Sequence, residues 1–396
     1  MRRNAVLFVA ISLLSGFGST AMALVAGIWI LDLTGSSSVA GLTGLSVYAP
    51  VLLAPWLGAL VDRLPRRPML IWVNVLVAAG LLTLLAVRSK GQIWLIFTVM
   101  VARGLSYVLL DAGETALLPA ALSADTLGRV NGWRSSAQEG MKLVAPLAGA
   151  ALYASHGAAP LVALVAAMPL IVAALYAAVR LDPSPRTGAR SGGVAEARGV
   201  RVGLAVLWSR PDIRTPVLVA AVAIAMSGFT TAAQYSVVTD RYSLPSVFLG
   251  VLASAQGAGS IAGGLVVGWL LARFGPVATA ATGAVCFAAG CLTRCLLWLP
   301  ALPVLPAGSV LIGIGLPWTL IAGVTAVQVG TPDAMLGRVA ATSTAVMFGP
   351  TALAIPLGAA AVHLGSTPTY VFAALLCLAT AAWAGHRSPS AERTAI

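Results

Sequence analysis

Residues 160–179, PLVALVAAMPLIVAALYAAV, contain no charged side chain and a single hydroxyl, that of Tyr176. At 1.5 Å per residue a helix of this length runs about 30 Å, the thickness of bilayer hydrocarbon. A helix on a soluble core keeps a polar face, and this stretch has none. It reads as a membrane-spanning helix. Runs of the same kind occupy most of the chain. Going outward they lie at 5–31, 39–61, 68–87, 93–118 and 130–153 before it, and at 216–238, 247–271, 277–299, 303–329, 339–362 and 369–384 after it.

The whole composition agrees. Of 396 residues 59% are apolar and 9% charged, with a mean hydropathy of +0.94, where a soluble domain is about 25% charged. Soluble, collagenous, disordered and disulfide-stapled readings are excluded. Twelve spans and short loops use nearly all the residues, so no soluble catalytic domain fits and function must sit in the membrane. The expected fold is an all-α membrane protein of twelve transmembrane helices in two parallel six-helix repeats. Its parts are residues 1–179, a polar Arg-rich linker at 180–214, and residues 215–396. Within the linker Val200, Leu204 and Leu207 recur at helical spacing beside Trp208, with Arg198, Arg201 and Arg210 available for headgroups, as in an interfacial helix. A plain flexible linker is the other reading.

The net charge of +12 would suggest nucleic acid in a soluble chain, but its placement points to topology and to no nucleic-acid partner. With the N-terminus inside, seventeen Lys and Arg fall on the cytoplasmic side and three, Arg88, Lys90 and Arg241, on the outer side. By the positive-inside rule both termini are cytoplasmic, in the plasma membrane. Ala21-Met22-Ala23 offers a signal-peptidase-like site. Cleavage there would cut an apolar run that continues to Leu31 and reverse the charge bias of every later loop.

Leu127-Gly128-Arg129-Val130 returns as Leu336-Gly337-Arg338-Val339, and Gly58, Leu60 and Arg63 return as Gly268, Leu270 and Arg273, at offsets of 209 and 210. Two matches at nearly one offset indicate duplication of a six-helix unit in the same orientation.

The loop Gly58-Ala59-Leu60-Val61-Asp62-Arg63-Leu64-Pro65-Arg66-Arg67, with its weaker copy from Gly268 to Gly275, resembles the signature of the major facilitator superfamily of secondary transporters. Pro65 stands where a Gly is usual, and Ala272 replaces the acid of the second copy. The pattern Asp32-Leu33-Thr34-Gly35-Ser36 resembles the bacterial siderophore and drug exporter branch. Ala145-Pro146-Leu147-Ala148-Gly149 is similar to the antiporter motif of the fifth helix, with Ala145 in place of its Gly. The resemblance implies alternating access, with Asp62 as a latch reaching the N-terminus of the eleventh helix near Gly337 and Arg338. The helix dipole there favours an acid by about 0.3–2 kcal/mol. Arg63, Arg66 and Arg67 complete this gating loop, or merely anchor it inside.

Charges within spans are costly, about 2.5–3.5 kcal/mol each at the bilayer centre. Arg103, Tyr107, Asp111 and Glu114 share one face of the fourth helix; Ser135, Glu139, Lys142 and Pro146 share one face of the fifth, with Glu139 and Lys142 spaced to pair. The group Arg103, Asp111, Glu114, Glu139 and Lys142 either couples protons, with Asp111 and Glu139 as carriers, or is a static ion-pair network. Arg103 resembles the fourth-helix Arg of drug–proton antiporters, without the Gln-Gly that usually follows. Arg134 and Arg294 are expected to snorkel to the membrane faces. Ser12, Ser15, Ser19, Ser227, Thr230, Thr231 and Gln234 form polar stripes on the first and seventh helices, which with the fourth and tenth are expected to line the cavity in this fold. Tyr107, Trp318 and Thr325 join them, although Ser and Thr also serve helix packing. Gly259, Gly263, Gly264 and Gly268 read as close-packing positions.

No phosphate-cradling loop ends in Lys and Ser or Thr, so an ion gradient is the expected energy source. Cys286, Cys291, Cys295 and Cys377, and His156, His363 and His386, lack metal-ligand spacing. No cofactor and no metal are expected. The leading reading is a monomeric, proton-coupled exporter of a small metabolite or drug, not an enzyme. Its partners are the small-molecule substrate, protons or another coupling ion, and the lipid bilayer. An importer uses the same parts, and a non-transporting sensor or a membrane-embedded enzyme is the alternative of another class.

Overall fold

In hydrocarbon an apolar segment satisfies its backbone only by bonding within itself, so long apolar runs become helices. A computed structural model of the chain describes residues 2–53, 57, 61, 64–180, 196–296 and 300–387, and among them every regular element is helical. Nine of these helices are long and apolar enough to cross a membrane. The chain forms two compact units, Met1–Ser191 with Pro245–Ser254, and Gly192–Leu244 with Ala255–Ile396.

The first unit begins with α1 (Arg2–Thr34) and the short α2 (Ser37–Gly41) and α3 (Leu45–Tyr48), and continues through α4 (Arg66–Thr83), α5 (Ile93–Ala121), α6 (Ala124–His156) and α7 (Ala158–Ala178). Thus 39–61 begins as short helical pieces, and its remainder, with Gly58, Asp62 and Arg63, lies outside the described residues. The 33-residue α6 is absent from the nine because Arg129, Arg134, Glu139 and Lys142 interrupt its apolar character. It is held instead by packing along α1, where a Cβ at Gly149 would come within 2.9 Å of that of Ala21. Phe8, Ile11, Leu70, Val130, Val172 and Tyr176 fill the core between α1, α4, α6 and α7.

In the second unit α8 (Glu196–Ser209), α9 (Pro211–Phe229) and α10 (Thr231–Ser236) precede α11 (Phe248–Thr293), whose first residues belong to the first unit; α12 (Ala301–Gly330), α13 (Asp333–Phe348), α14 (Thr351–Ala361) and α15 (Ser366–Arg387) follow. The linker is therefore helical in its later part. Leu207 of α8 is fully buried against α9 and α13 while Leu204 and Trp208 are exposed, so one face docks and the other is open.

α11 is 46 residues long but breaks at Gly275, where φ is 75° and the next residue is Pro276. That φ favours glycine, and the proline starts a new helix with a preset φ and no amide to satisfy. Two apolar runs read from the sequence thus meet in one broken helix. The expected seventh helix is also interrupted. The hydroxyls of Thr230 and Thr231 donate back to the carbonyls of Met226 and Ser227, and a π-helical turn closes the segment at Val237–Arg241. Pro350 interrupts the hydrogen bonding of the expected eleventh helix between α13 and α14, which together still make one spanning segment, as a residue without an amide donor does.

Glycine lets α12 approach both segments of α11. A Cβ at Gly259 would lie 3.0 Å from Cα of Val310, at Gly263 3.1 Å from Cα of Ile314, at Gly283 2.7 Å from the Gly315 carbonyl oxygen and at Gly290 2.6 Å from that of Gly308. Gly264 and Gly268 face open space, so the expected close-packing role fits only the first pair of that stripe.

Candidate functional site: buried charge clusters in each unit

In the first unit a polar cluster joins four helices. Arg134 of α6 lies 2.8 Å from the Glu114 carboxylate of α5, with side chains 15% and 12% exposed respectively. Its Nε donates to Ser12 Oγ of α1 at 3.1 Å, and Nη1 donates to Asn131 Oδ1 at 3.3 Å. The Tyr176 hydroxyl of α7 lies beside Glu114. The expectation that Arg134 snorkels is therefore corrected. The carboxylate of a neighbouring helix takes the place of water, and the attraction between the two buried charges, with the hydrogen bonds to Ser12 and Asn131, offsets the cost of desolvating them. One Glu114 oxygen, Oε1, has no hydrogen-bond partner.

Of the other charges of the group, Asp111 interacts electrostatically with this pair, and the rest are separate from it. Lys142 and Glu139 form their i, i+3 pair at 2.6 Å on the exposed face of α6. Arg103 donates to Ser19 Oγ of α1 at 2.9 Å. Tyr107 and Asp111 are exposed on α5, and among the described residues no basic group is within 4 Å of Asp111. The five charges thus fall into three groups, Asp111 with Glu114, Glu139 with Lys142, and Arg103 apart.

Arg67 donates through Nε to the Tyr176 carbonyl at 3.1 Å and through Nη2 to that of Ala177, while Arg3 donates to Ala178 at 2.8 Å. Three carbonyls at the C-terminus of α7 are thereby capped by cations, the favourable sign for the helix dipole. Gly337 and Arg338 are exposed near the start of α13. The Arg338 carbonyl accepts from Thr342 at 2.9 Å, and Arg66 is engaged in an interaction of its own.

In the second unit Arg294, near the end of α11, is only 2% exposed. Nη1 donates to Tyr370 Oη of α15 at 2.8 Å and to Gln234 Oε1 of α10 at 3.3 Å; Nη2 donates to Ser309 Oγ of α12 at 2.9 Å. Its guanidinium also sits 5.4 Å from the centroid of the Tyr370 ring. This too corrects the snorkelling expectation: neutral acceptors from three helices hold the cation inside. The signal in the sequence was the arginine itself, since a cation within a span must find acceptors, but the partners lie up to 76 positions away.

Of the cavity candidates, Ser15, Ser19, Thr231, Gln234 and Thr325 are half-buried. Thr230 is buried and turned back on its own helix. Trp318 spends its indole N–H on the Gly263 carbonyl at 2.8 Å, tying α12 to α11.

Several apolar helices of spanning length, with no strand among the described residues, mark a multi-pass membrane protein. The chain belongs to the Major Facilitator Superfamily, whose model matches residues 7–246. Similar solved folds include a bacterial homologue of the iron transporter ferroportin in an inward-facing state, at 17% identity, 98% of this chain, 100% of that chain and TM-score 0.69. The nucleoside transporter NupG is similar at 13% identity, covering 97% of this chain and 98% of that chain, TM-score 0.74. A bacterial homologue of the human lysosomal transporter Spinster is similar at 14% identity, 97% and 94%, TM-score 0.66. No curated protein matches the chain. The family and these neighbours are membrane transporters, not enzymes.

Proposed function

We propose that the protein is a secondary active transporter of the plasma membrane that exports a small metabolite or drug in exchange for protons, by alternating access, as a monomer without a cofactor. The observation that carries this reading is the set of three acids borne by the spanning-length helices α5 and α6. Asp111 is exposed on α5, Glu139 is held by one lysine, and Glu114 is paired with Arg134. Acids within spanning segments are retained where protons or ions move. Asp111 and Glu139 are the carriers, and the Glu114–Arg134 pair is the fixed support. Export follows from the resemblance at Asp32 to Ser36. The neighbours' cargoes differ from one another, and none is assigned to this chain.

In this reading the chain crosses the bilayer twelve times, with α11 counted twice across Gly275, α6 crossing despite its charges, and residues 39–61 crossing once. Both termini are cytoplasmic. Gly58, Asp62, Arg63, Arg66 and Arg67, with Gly337 and Arg338, are the gating residues. Ser15, Ser19, Tyr107, Thr231, Gln234 and Thr325 line the path.

The test compares intracellular and medium metabolites, with an added drug panel, in cells expressing wild type, Asp111→Asn, Glu139→Gln or no protein. Wild-type-specific efflux that collapses with a protonophore and in both variants is expected. Depletion of a medium component would reverse the direction, full proton-coupled flux in both variants would remove the carrier assignment, and no wild-type-dependent gradient would count against transport.

A further inference from the structure

Arg294 carries a positive charge with no ion pair among the described residues, where no carboxylate is within 4 Å of it. All three of its side-chain acceptors, Gln234, Tyr370 and Ser309, are neutral. Nε is buried without any partner. A buried guanidinium ordinarily has an acid beside it, because neutral acceptors satisfy its hydrogens but not its charge.

The three acceptors are not equivalent. Tyr370 and Ser309 are completely buried and bond at 2.8 and 2.9 Å. Gln234 is half-buried and bonds at 3.3 Å, the longest contact of the set. It stands on α10, the short helix that begins just after Thr230. The side of the cation that can be approached is therefore the side closed by its weakest partner.

We propose that Arg294 anchors a subsite for a monoanionic carboxylate, which enters at Gln234 and displaces its amide oxygen from Nη1. One negative charge balances the one unmatched positive charge, whereas a dianion would leave an excess charge in a low-dielectric site. The exchange replaces a neutral acceptor by a charged one, and charge-assisted bonds are about twice as strong. The proposal rests on the reading of Gln234 as a residue of the substrate path, and it narrows the cargo to solutes bearing a carboxylate.

The test measures binding, so it is separable from flux. Wild-type protein in phosphatidylcholine nanodiscs, which contain no anionic headgroup, is melted at constant ionic strength with sodium benzoate, sodium acetate, sodium chloride or neutral benzamide. Benzoate and acetate are expected to raise the midpoint saturably, by about 2–4 °C, and benzamide to leave it unchanged. Gln234→Glu places a carboxylate where the amide oxygen sits. It is expected to raise the midpoint without added anion and to abolish the response to benzoate. Equal effects of benzoate and benzamide, a response to chloride alone, or an undiminished benzoate response in Gln234→Glu would each overturn the proposal. Failure of the anion response leaves the transport reading standing; loss of all wild-type-dependent gradients with an intact anion response would count against transport alone.

Discussion

Arg134 sits 2.8 Å from the Glu114 carboxylate and at the same time hydrogen-bonds Ser12, so that one side chain of α6 ties together α5 and α1 inside the first unit. The pair is almost closed to solvent, and its strength is of the kind exposed only when one partner is removed. Arg134→Met leaves Glu114 buried without its cation and is expected to destabilise the protein by about 3–5 kcal/mol. Adding Glu114→Gln to Arg134→Met should recover most of that loss. Thermal unfolding in nanodiscs of the two single variants and the double variant measures the coupling, and purely additive effects would contradict a direct ion pair.

Gly283 and Gly264 lie on the same broken helix and should respond oppositely to one added methyl. Gly283→Ala drives a Cβ to 2.7 Å from the Gly315 carbonyl oxygen, whereas Gly264→Ala meets nothing within 4 Å. The first is expected to cost about 1–3 kcal/mol by overpacking, and the second to change stability by no more than about 0.5 kcal/mol. Melting midpoints of the two variants decide it.

The linker helix α8 is held to α13 through a residue without a side chain. A Cβ at Gly203 would meet Cβ of Thr342 at 2.9 Å and the Arg338 carbonyl oxygen at 3.0 Å. Gly203→Val should therefore undock α8 and expose Leu207, which is fully buried. In a background lacking the native cysteines, Leu207→Cys is expected to resist maleimide when Gly203 is intact and to label at least several-fold faster with Gly203→Val. Equal labelling would show that α8 does not depend on this contact.

The proposed topology puts Lys90 outside and Arg338 inside. In the same cysteine-free background a membrane-impermeant maleimide applied to intact cells should label Lys90→Cys, and label Arg338→Cys only after permeabilisation. The reverse pattern would invert the orientation.

Much of the architecture was legible because hydrocarbon leaves a chain few choices. Lengths near 20 apolar residues, the absence of strand alternation and the clustering of Arg in alternate loops all follow from backbone satisfaction and the cost of charge in lipid. The spans read at 5–31 and 93–118 fall within helices, and those at 68–87 and 160–179 match helices to within a few residues, for that reason. Pairing of Glu139 with Lys142 could be read from their spacing, since neighbours three apart on one helix meet whatever surrounds them.

Partners on different helices could not be read this way. The sequence by itself determined that Arg134 and Arg294 needed acceptors, because an isolated cation within a span is too costly to leave alone. Only the tertiary structure decided that the acceptors are Glu114 and Ser12 in one unit and Tyr370, Ser309 and Gln234 in the other. The breaks at Thr230 and Pro350 belong to the same class. Hydropathy is blind to a hydroxyl that bonds back to its own helix, and to the neighbouring helices that make an interrupted span tolerable. The energy of a charged contact depends on which side chains arrive within 3 Å of it, and that is a property of the packed helices, set by close approaches such as Gly149 on Ala21, not of any single stretch of chain.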